Sequence, residues 1–142
     1  MDNKIPYKLF SKNNNSENSF FLHGNGFPPE SYKTFLKQLS NHLNIYAMYQ
    51  KPFWKTEINP KTIIGWEIFK KDAVDFLNQN NLNNSIGIGH SMGAVIILLI
   101  ELENPGTFKK IFLLDPVITS PLKSLIYKVL LKANLVDKFH PM

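Results

Sequence analysis

The chain has 142 residues, enough for one domain with a real core and too few for two comfortable ones; its 44% hydrophobic and 19% charged residues, with a mean hydropathy of -0.16, exclude a disordered chain. The net charge of +5 comes wholly from lysines, adjacent only at Lys70-Lys71 and Lys109-Lys110, so the clustered basic and aromatic pattern of a nucleic-acid reader is missing and no such partner is expected. The absence of Cys excludes a disulfide framework, a thiolate metal site and a cysteine nucleophile, leaving oxygen nucleophiles for any covalent catalysis.

The polar start, Met1 to Pro6, lacks the apolar stretch of a signal peptide, so a cytoplasmic address is the default expectation. A short strand is predicted at Tyr7 to Ser11, followed by a polar loop through Asn13-Asn14-Asn15-Ser16. Ser19 to His23 reads as a buried strand closed by Gly24, and the turn continues to Pro29. From Glu30 to Leu43 the apolar residues Tyr32, Phe35, Leu36, Leu39 and Leu43 recur at helical spacing after two prolines that suit a helix start. Asn44 to Tyr49 predicts another strand, with an irregular loop bracketed by Pro52 and Pro60.

Trp66, Phe69, Ala73, Phe76 and Leu77 predict a second helix, with Lys70, Lys71, Asp72 and Asp75 expected mostly on its wet side. Ile86 to Gly89 is a strand whose glycines permit close backbone approach, and Met92 to Leu102 is a helix apolar on nearly all sides, hence central. That helix holds the longest apolar run, Ala94 to Ile100, far short of the roughly 20 residues of a membrane span, so no insertion is expected. Ile111 to Leu114 reads as a buried strand and Leu122 to Leu135 as a last helix. Continuous apolar strands alternating with helices imply an α/β domain built on a mostly parallel sheet with helices on both faces.

Gly89-His90-Ser91-Met92-Gly93 fits G-x-S-x-G, the nucleophile elbow, in which a serine in a tight strand-to-helix turn projects its hydroxyl away from the sheet. The glycines two residues either side leave space for the turn, and the start of the helix near Met92 offers free N–H groups and a dipole that favours negative charge. Three fixed positions match by chance in roughly 5% of chains this long, so the pattern alone is weak. The strand before it and the apolar helix after it make it strong.

His23-Gly24-Asn25-Gly26-Phe27-Pro28-Pro29 resembles the oxyanion loop of α/β-hydrolases and stands at a similar separation from the serine. Together with Gly89 to Gly93 and Leu114-Asp115-Pro116-Val117, it resembles a group of uncharacterised α/β-hydrolases from about Phe20 onward. The resemblance implies Ser91 as nucleophile and the backbone N–H groups of Asn25 and Met92 as the oxyanion hole, with Gly26 or Phe27 as substitutes for Asn25 if the loop is displaced. It also implies chains that continue well past this point, through a cap and then the strands that bring the acid and the histidine. On that pattern residues 1–142 are a single, incomplete domain, the N-terminal part of the fold. Residues 1–18 would be a poorly ordered lead-in and residues 119–142 the start of a cap.

Asp115 and His140 complete the order Ser, acid, His on paper. Too few residues separate them for the strands that normally position both groups, and a terminal residue is usually mobile. His90 reads as a packing residue under the elbow, His23 as a loop-orienting residue, and His42 has no assigned role. Trp54 and Trp66, with Phe53 and Tyr49, fit core more often than the wall of an acyl pocket. Glu101 and Glu103 point apart on one helix and are expected to be surface charges.

The expectation is therefore a serine hydrolase scaffold acting through an acyl-enzyme on a small-molecule ester, thioester or amide, with no metal or organic cofactor implied. Turnover by this chain alone is expected to be weak, because a serine without a histidine stays protonated. The alternative is a non-catalytic fragment or binding module that keeps the fold, with another chain covering an open strand edge.

Overall fold

Phe20, Phe21 and Leu22 are completely buried although they are consecutive, which a strand allows only when both faces of its sheet are covered. A computed structural model describes residues 4–12, 16–54 and 65–118 of the chain. The strands are β1 (Tyr7–Phe10), β2 (Glu17–Leu22), β3 (Leu43–Met48), β4 (Ser85–His90) and β5 (Phe108–Leu114), and the helices are α1 (Lys33–Leu39), α2 (Glu67–Gln79) and α3 (Met92–Glu103). Two 3-10 turns, Pro29–Tyr32 and Lys51–Phe53, follow the loops after β2 and β3.

The sheet order is β1-β3-β2-β4-β5, parallel throughout except for β1, which runs antiparallel to β3. Period-two alternation divides the core. Phe20, Leu22 and Met48 join Phe69, Phe76, Ile96, Ile97 and Ile100 of α2 and α3 on one face, while Phe21, Ile45, Ala47, Ile86 and Ile88 meet Leu36 of α1 on the other. Phe20 stacks on Phe108 at 6.2 Å and leans on Phe76 at 5.6 Å, tying β5, β2 and α2 through one ring. Because the chain passes to β3 on one side of β2 and to β4 on the other, β2 and β4 flank the switch point, where α/β sheets open a crevice at their carboxyl ends.

Several elements differ from the sequence reading. The helix expected from Glu30 to Leu43 is a 3-10 turn followed by a short α1, and Leu43 already belongs to β3. The chain reverses at Ser40 to His42, where Ser40 Oγ bonds the Lys37 carbonyl and the His42 N–H bonds that of Leu39. β5 begins earlier than expected and is not buried along its length: Ile111 and Leu113 face the core, whereas Phe112 is 48% and Leu114 38% exposed. Among the described residues β5 pairs only with β4, so its outer side lacks the second partner that a central strand has. The expected helix Leu122–Leu135, the cap segment 119–142 and most of the loop around Pro60 lie outside the described residues.

Asp72 is the sharpest departure, since it is buried instead of wet. Lys51 Nζ reaches both its carboxylate oxygens, at 2.5 and 2.7 Å, and also lies 5.0 Å from the Trp54 ring. Burial pushes the Asp72 carboxyl up more than Lys51 pulls it down, so the ion pair does not fully offset the loss of water. Removing one partner is a different matter. Lys51→Met leaves a buried carboxylate alone and should lower stability by about 3 kcal/mol. Lys70→Met, whose partners Glu67 and Glu103 are exposed, should cost much less. Urea denaturation of both variants at pH 7 measures the contrast; equal losses would contradict it.

Candidate active site

Ser91 joins β4 to α3 with φ 52° and ψ -116°, a backbone region that side-chain-bearing residues rarely adopt and that costs about 1–3 kcal/mol. The flanking glycines are needed for contact. A Cβ on Gly89 would lie 2.5 Å from Ala94 Cα, and one on Gly93 only 2.1 Å from the Leu22 carbonyl oxygen. The Ser91 N–H donates to the Leu114 carbonyl at 2.9 Å and its carbonyl accepts from Val95 at 3.3 Å, so the turn is bonded to the end of β5 and to α3. Its side chain does not cap α3 and stays half-exposed. With the Ser91 N–H engaged, Met92 supplies the next N–H, at the first turn of a twelve-residue helix.

The loop after β2 lies beside this turn. Leu22 pairs with Gly89 in register, which places the chain leaving β2 next to His90 and Ser91. His23 is fully buried, accepting the Gln50 N–H on Nε2 at 3.1 Å, so its proton sits on Nδ1 and is donated to the Gly24 carbonyl at 2.8 Å. Gln50 Nε2 returns a bond to the His23 carbonyl at 2.6 Å, and Phe53 meets the imidazole edge-on at 5.4 Å. Burial holds the His23 pKa below its ordinary 6.5, although the Gly24 contact and the charge of Glu30 act against this. His23 is thus a neutral structural residue, as expected of a loop-orienting histidine.

The Phe27 N–H closes a turn onto the Gly24 carbonyl at 3.2 Å, with Gly26 at φ 77°, and Asn25 is exposed at its corner. No described residue accepts from the Asn25 N–H. Tyr32 OH accepts the Gly24 N–H at 3.1 Å and contacts His90 Nδ1 at 2.8 Å. His90, half-buried beside the turn, thus has a polar partner in Tyr32. Behind the loop, Glu30 accepts from both Tyr49 OH and Lys8 Nζ; burial and the Glu30 hydrogen bond push the Tyr49 phenol up to about 12.

Ser91, Met92, Gly89, Gly93 and the Asn25 loop are thus brought to one edge of the sheet, at the carboxyl ends of β2 and β4. Asp115 follows Leu114 on the same edge with φ 44°, exposed, and no hydrogen bond links it to a described histidine. His140 lies outside the described residues. His42 is exposed in the turn before β3. Glu101 is more than a surface charge: its carboxylate accepts the N–H groups of Gly106 and Phe108 at 2.7 and 2.9 Å, which hold its pKa low and fix the α3–β5 turn. Trp54 packs partly against the core and donates to the Tyr49 carbonyl, while Trp66 stands 36% exposed before α2. Among the described residues no group of three or more His, Asp or Glu gathers as a metal site, and no helix is long and apolar enough to cross a membrane.

Gln50 and Tyr32 escape a reading of motifs because each acts across the fold. The only sequence signal for Tyr32 is its place on a helical stripe, which assigns its ring and not its hydroxyl.

Solved structures share this fold. A marine microorganism esterase superposes with a TM-score of 0.69 at 19% identity, covering 92% of this chain and 51% of its own. An esterase of Thermogutta terrifontis gives 0.72 at 14%, covering 91% and 47%. A carboxylesterase of Nitrososphaera gargenis gives 0.74 at 16%, covering 91% and 49%. The fold is that of the α/β-hydrolases. No protein-family model matches the chain. Among curated proteins, ethanol acetyltransferase 1 of Hanseniaspora uvarum is 29% identical over 114 residues, 79% of this chain and 32% of that protein. A probable alcohol acetyltransferase of Cyberlindnera fabianii is 25% identical over 133 residues, 90% and 35% respectively. The chain spans about a third of the length of these curated relatives and about half that of the solved structures.

Two measurements probe this turn and its loop. Ser91→Gly removes the strain at φ 52° and should raise stability by about 1 kcal/mol, whereas Gly93→Ala, which drives a methyl into the Leu22 carbonyl, should prevent stable folding. Thermal melts of the two variants test both. Because the folded pKa of His23 lies below 6.5, the unfolded chain binds the extra proton first; stability is complete above pH 6.5 and is lost as pH falls towards the folded value. Urea midpoints measured between pH 7.5 and 5 should fall in that window, and His23→Gln should flatten the fall.

Proposed function

We propose that Ser91 is the nucleophile of an acyl-transfer reaction that passes through an acyl-enzyme, with the N–H groups of Asn25 and Met92 as the oxyanion hole. The observation that carries this reading is the strained Ser91 turn. Its hydroxyl is spared from capping its own helix, and it is set beside a second loop whose exposed corner keeps a free backbone donor. Ser91 Oγ attacks the carbonyl carbon of an ester, thioester or amide and gives its proton to a base. The tetrahedral oxyanion collapses, the bond to the leaving group breaks, and that group departs with a proton. Each oxyanion donor would contribute about 2.7–4 kcal/mol to the transition state.

The base comes from outside the set of histidines seen here. His23 has both nitrogens engaged, His90 faces Tyr32, and His42 lies in an exposed turn. Asp115 and His140 remain the candidates that chain order allows, with Asp115 on the same edge as Ser91.

Water as the acceptor gives hydrolysis, the reading favoured by the esterases that share the fold. A second reading, transfer of an acetyl group to an alcohol, is favoured by the names of the curated relatives. Both use one acyl-enzyme and differ only in what resolves it.

For residues 1–142 by themselves, slow and stoichiometric labelling of Ser91 by a fluorophosphonate is expected, and none in Ser91→Ala. Rapid labelling within seconds would show a base already in place. An unlabelled Ser91, in a chain shown to be folded, would refute the nucleophile assignment and leave a non-catalytic module.

A further inference from the structure

We infer that Tyr32 is a positioning residue whose hydroxyl fixes the oxyanion loop against the nucleophile turn, an inference that rests on the acyl-transfer reading of Ser91. One phenol oxygen meets two groups, the Gly24 N–H at 3.1 Å and His90 Nδ1 at 2.8 Å. Each of these belongs to the residue immediately before a proposed catalytic group, Asn25 in one case and Ser91 in the other.

The geometry of the Gly24–Asn25 peptide makes the connection matter. That peptide is planar and trans, so its carbonyl and the Asn25 N–H point in opposite directions and rotate together. The carbonyl is held by His23 Nδ1–H and by the Phe27 N–H. The preceding N–H is held by Tyr32 alone. With both sides of Gly24 pinned, the direction of the Asn25 N–H is set without any contact to Asn25 itself.

The hydroxyl balances its own hydrogen bonds. Its oxygen accepts from Gly24, and its proton goes to His90 Nδ1, which leaves the neutral imidazole protonated at Nε2. The ring is held in place by an edge contact with Phe21 at 5.0 Å and by His90 at 5.6 Å. There is no slack at the junction, because a Cβ on Gly24 would lie 2.8 Å from His90 Nδ1 and 3.2 Å from the phenol oxygen. A side chain lacking the hydroxyl leaves the buried Gly24 N–H without a partner, and the His23–Gly24 peptide is then held at its carbonyl end alone, by Gln50 Nε2.

Tyr32→Phe keeps the ring and removes only the oxygen. The test is fluorophosphonate labelling of Ser91 in the 142-residue chain and in Tyr32→Phe, over a range of probe concentrations. The maximal labelling rate should fall about tenfold, with half-saturation unchanged, because the donor is misaimed and the probe's access is not altered. A lost packing contact would lower the melting temperature without this split. Nitrogen-15 spectra of the unsubstituted chain should show neutral His90 protonated on Nε2, and Tyr32→Phe should move the Gly24 and Asn25 amide signals.

A parental labelling rate in a folded Tyr32→Phe overturns the inference while Ser91 keeps its role. Absence of labelling in the folded unsubstituted chain removes that role and the inference with it. Should Tyr32→Phe fail to fold, the Gly24 amide of the unsubstituted chain decides: exchange with solvent as fast as that of the exposed Asn25 amide overturns the inference, because a Gly24 N–H bonded to the phenol is protected.

Discussion

The first turn of α3 rests directly on the last residues of β2, with no side chain between them. Gly93 leaves its Cα against the carbonyls of Leu22 and His23, and Gly89 leaves β4 room to turn over Ala94. Helices normally pack on sheets through side chains at about 10 Å, so this backbone contact is unusually close and leaves few ways to run the chain between β4 and α3. Ser91 takes the left-handed conformation because the linker is one residue long and both of its ends are fixed. Its strain is sustained by the apolar burial of α3, whose Ala94, Ile96, Ile97 and Ile100 are shut off from water. The same contact brings the helix N-terminus to the loop after β2, so one packing decision places the hydroxyl, the Met92 N–H and the Asn25 loop together.

That loop cannot be held as the core is held. Asn25, Gly26 and Phe27 are exposed, so little apolar burial fixes them, and what must be fixed is the direction of backbone donors. Directional bonds take over. His23 goes inside neutral, with both ring nitrogens paired, and the Gln50 amide supplies two of the bonds that hold it. Gln50 is followed by Lys51, whose ammonium is clamped by Asp72 on α2. The loop after β3 thus braces the loop after β2, and α2 braces both. A buried network is costly when incomplete and rigid when complete, which suits a part of the molecule that must not move.

Elements that depend on local pattern were legible in the sequence. The buried strands β2, β3 and β4, the apolar α3, the core face of α2 and the crossing from strand to helix at Ser91 follow from hydrophobic period and from G-x-S-x-G. Elements set by distant partners were not. Asp72 sits among charged neighbours that predict a wet face, and only Lys51, brought in from another loop, makes it a buried residue. Glu101 looks like a surface charge until the turn after α3 returns two N–H groups to it. β5 reads as buried from its apolar letters, yet its burial depends on what lies beside it, and letters do not state that. In the site, motif residues were readable because their spacing is local, whereas Tyr32 and Gln50 act through tertiary contacts that leave no spacing to read.

The names of the relatives and of the structural neighbours point to different acceptors, and the site explains why both can be compatible with one elbow. Forming the acyl-enzyme requires a nucleophile, a base and donors for the oxyanion, and none of these distinguishes water from an alcohol. The distinction arises at the second step, where either molecule attacks the same carbonyl from the same side. Water is far more abundant than any alcohol, so transfer prevails only where the acyl-serine is shielded from water and an alcohol is bound beside it. On the proposed acyl-transfer reading, the Ser91 turn and the loop after β2 are therefore the shared part of the chemistry. On that reading the choice of acceptor would belong to whatever surrounds Ser91 on its open side, where Phe27, 57% exposed, stands on the loop after β2. Acceptor choice and nucleophilicity would then be carried by separate pieces of chain, and changing one need not disturb the backbone contacts around the other.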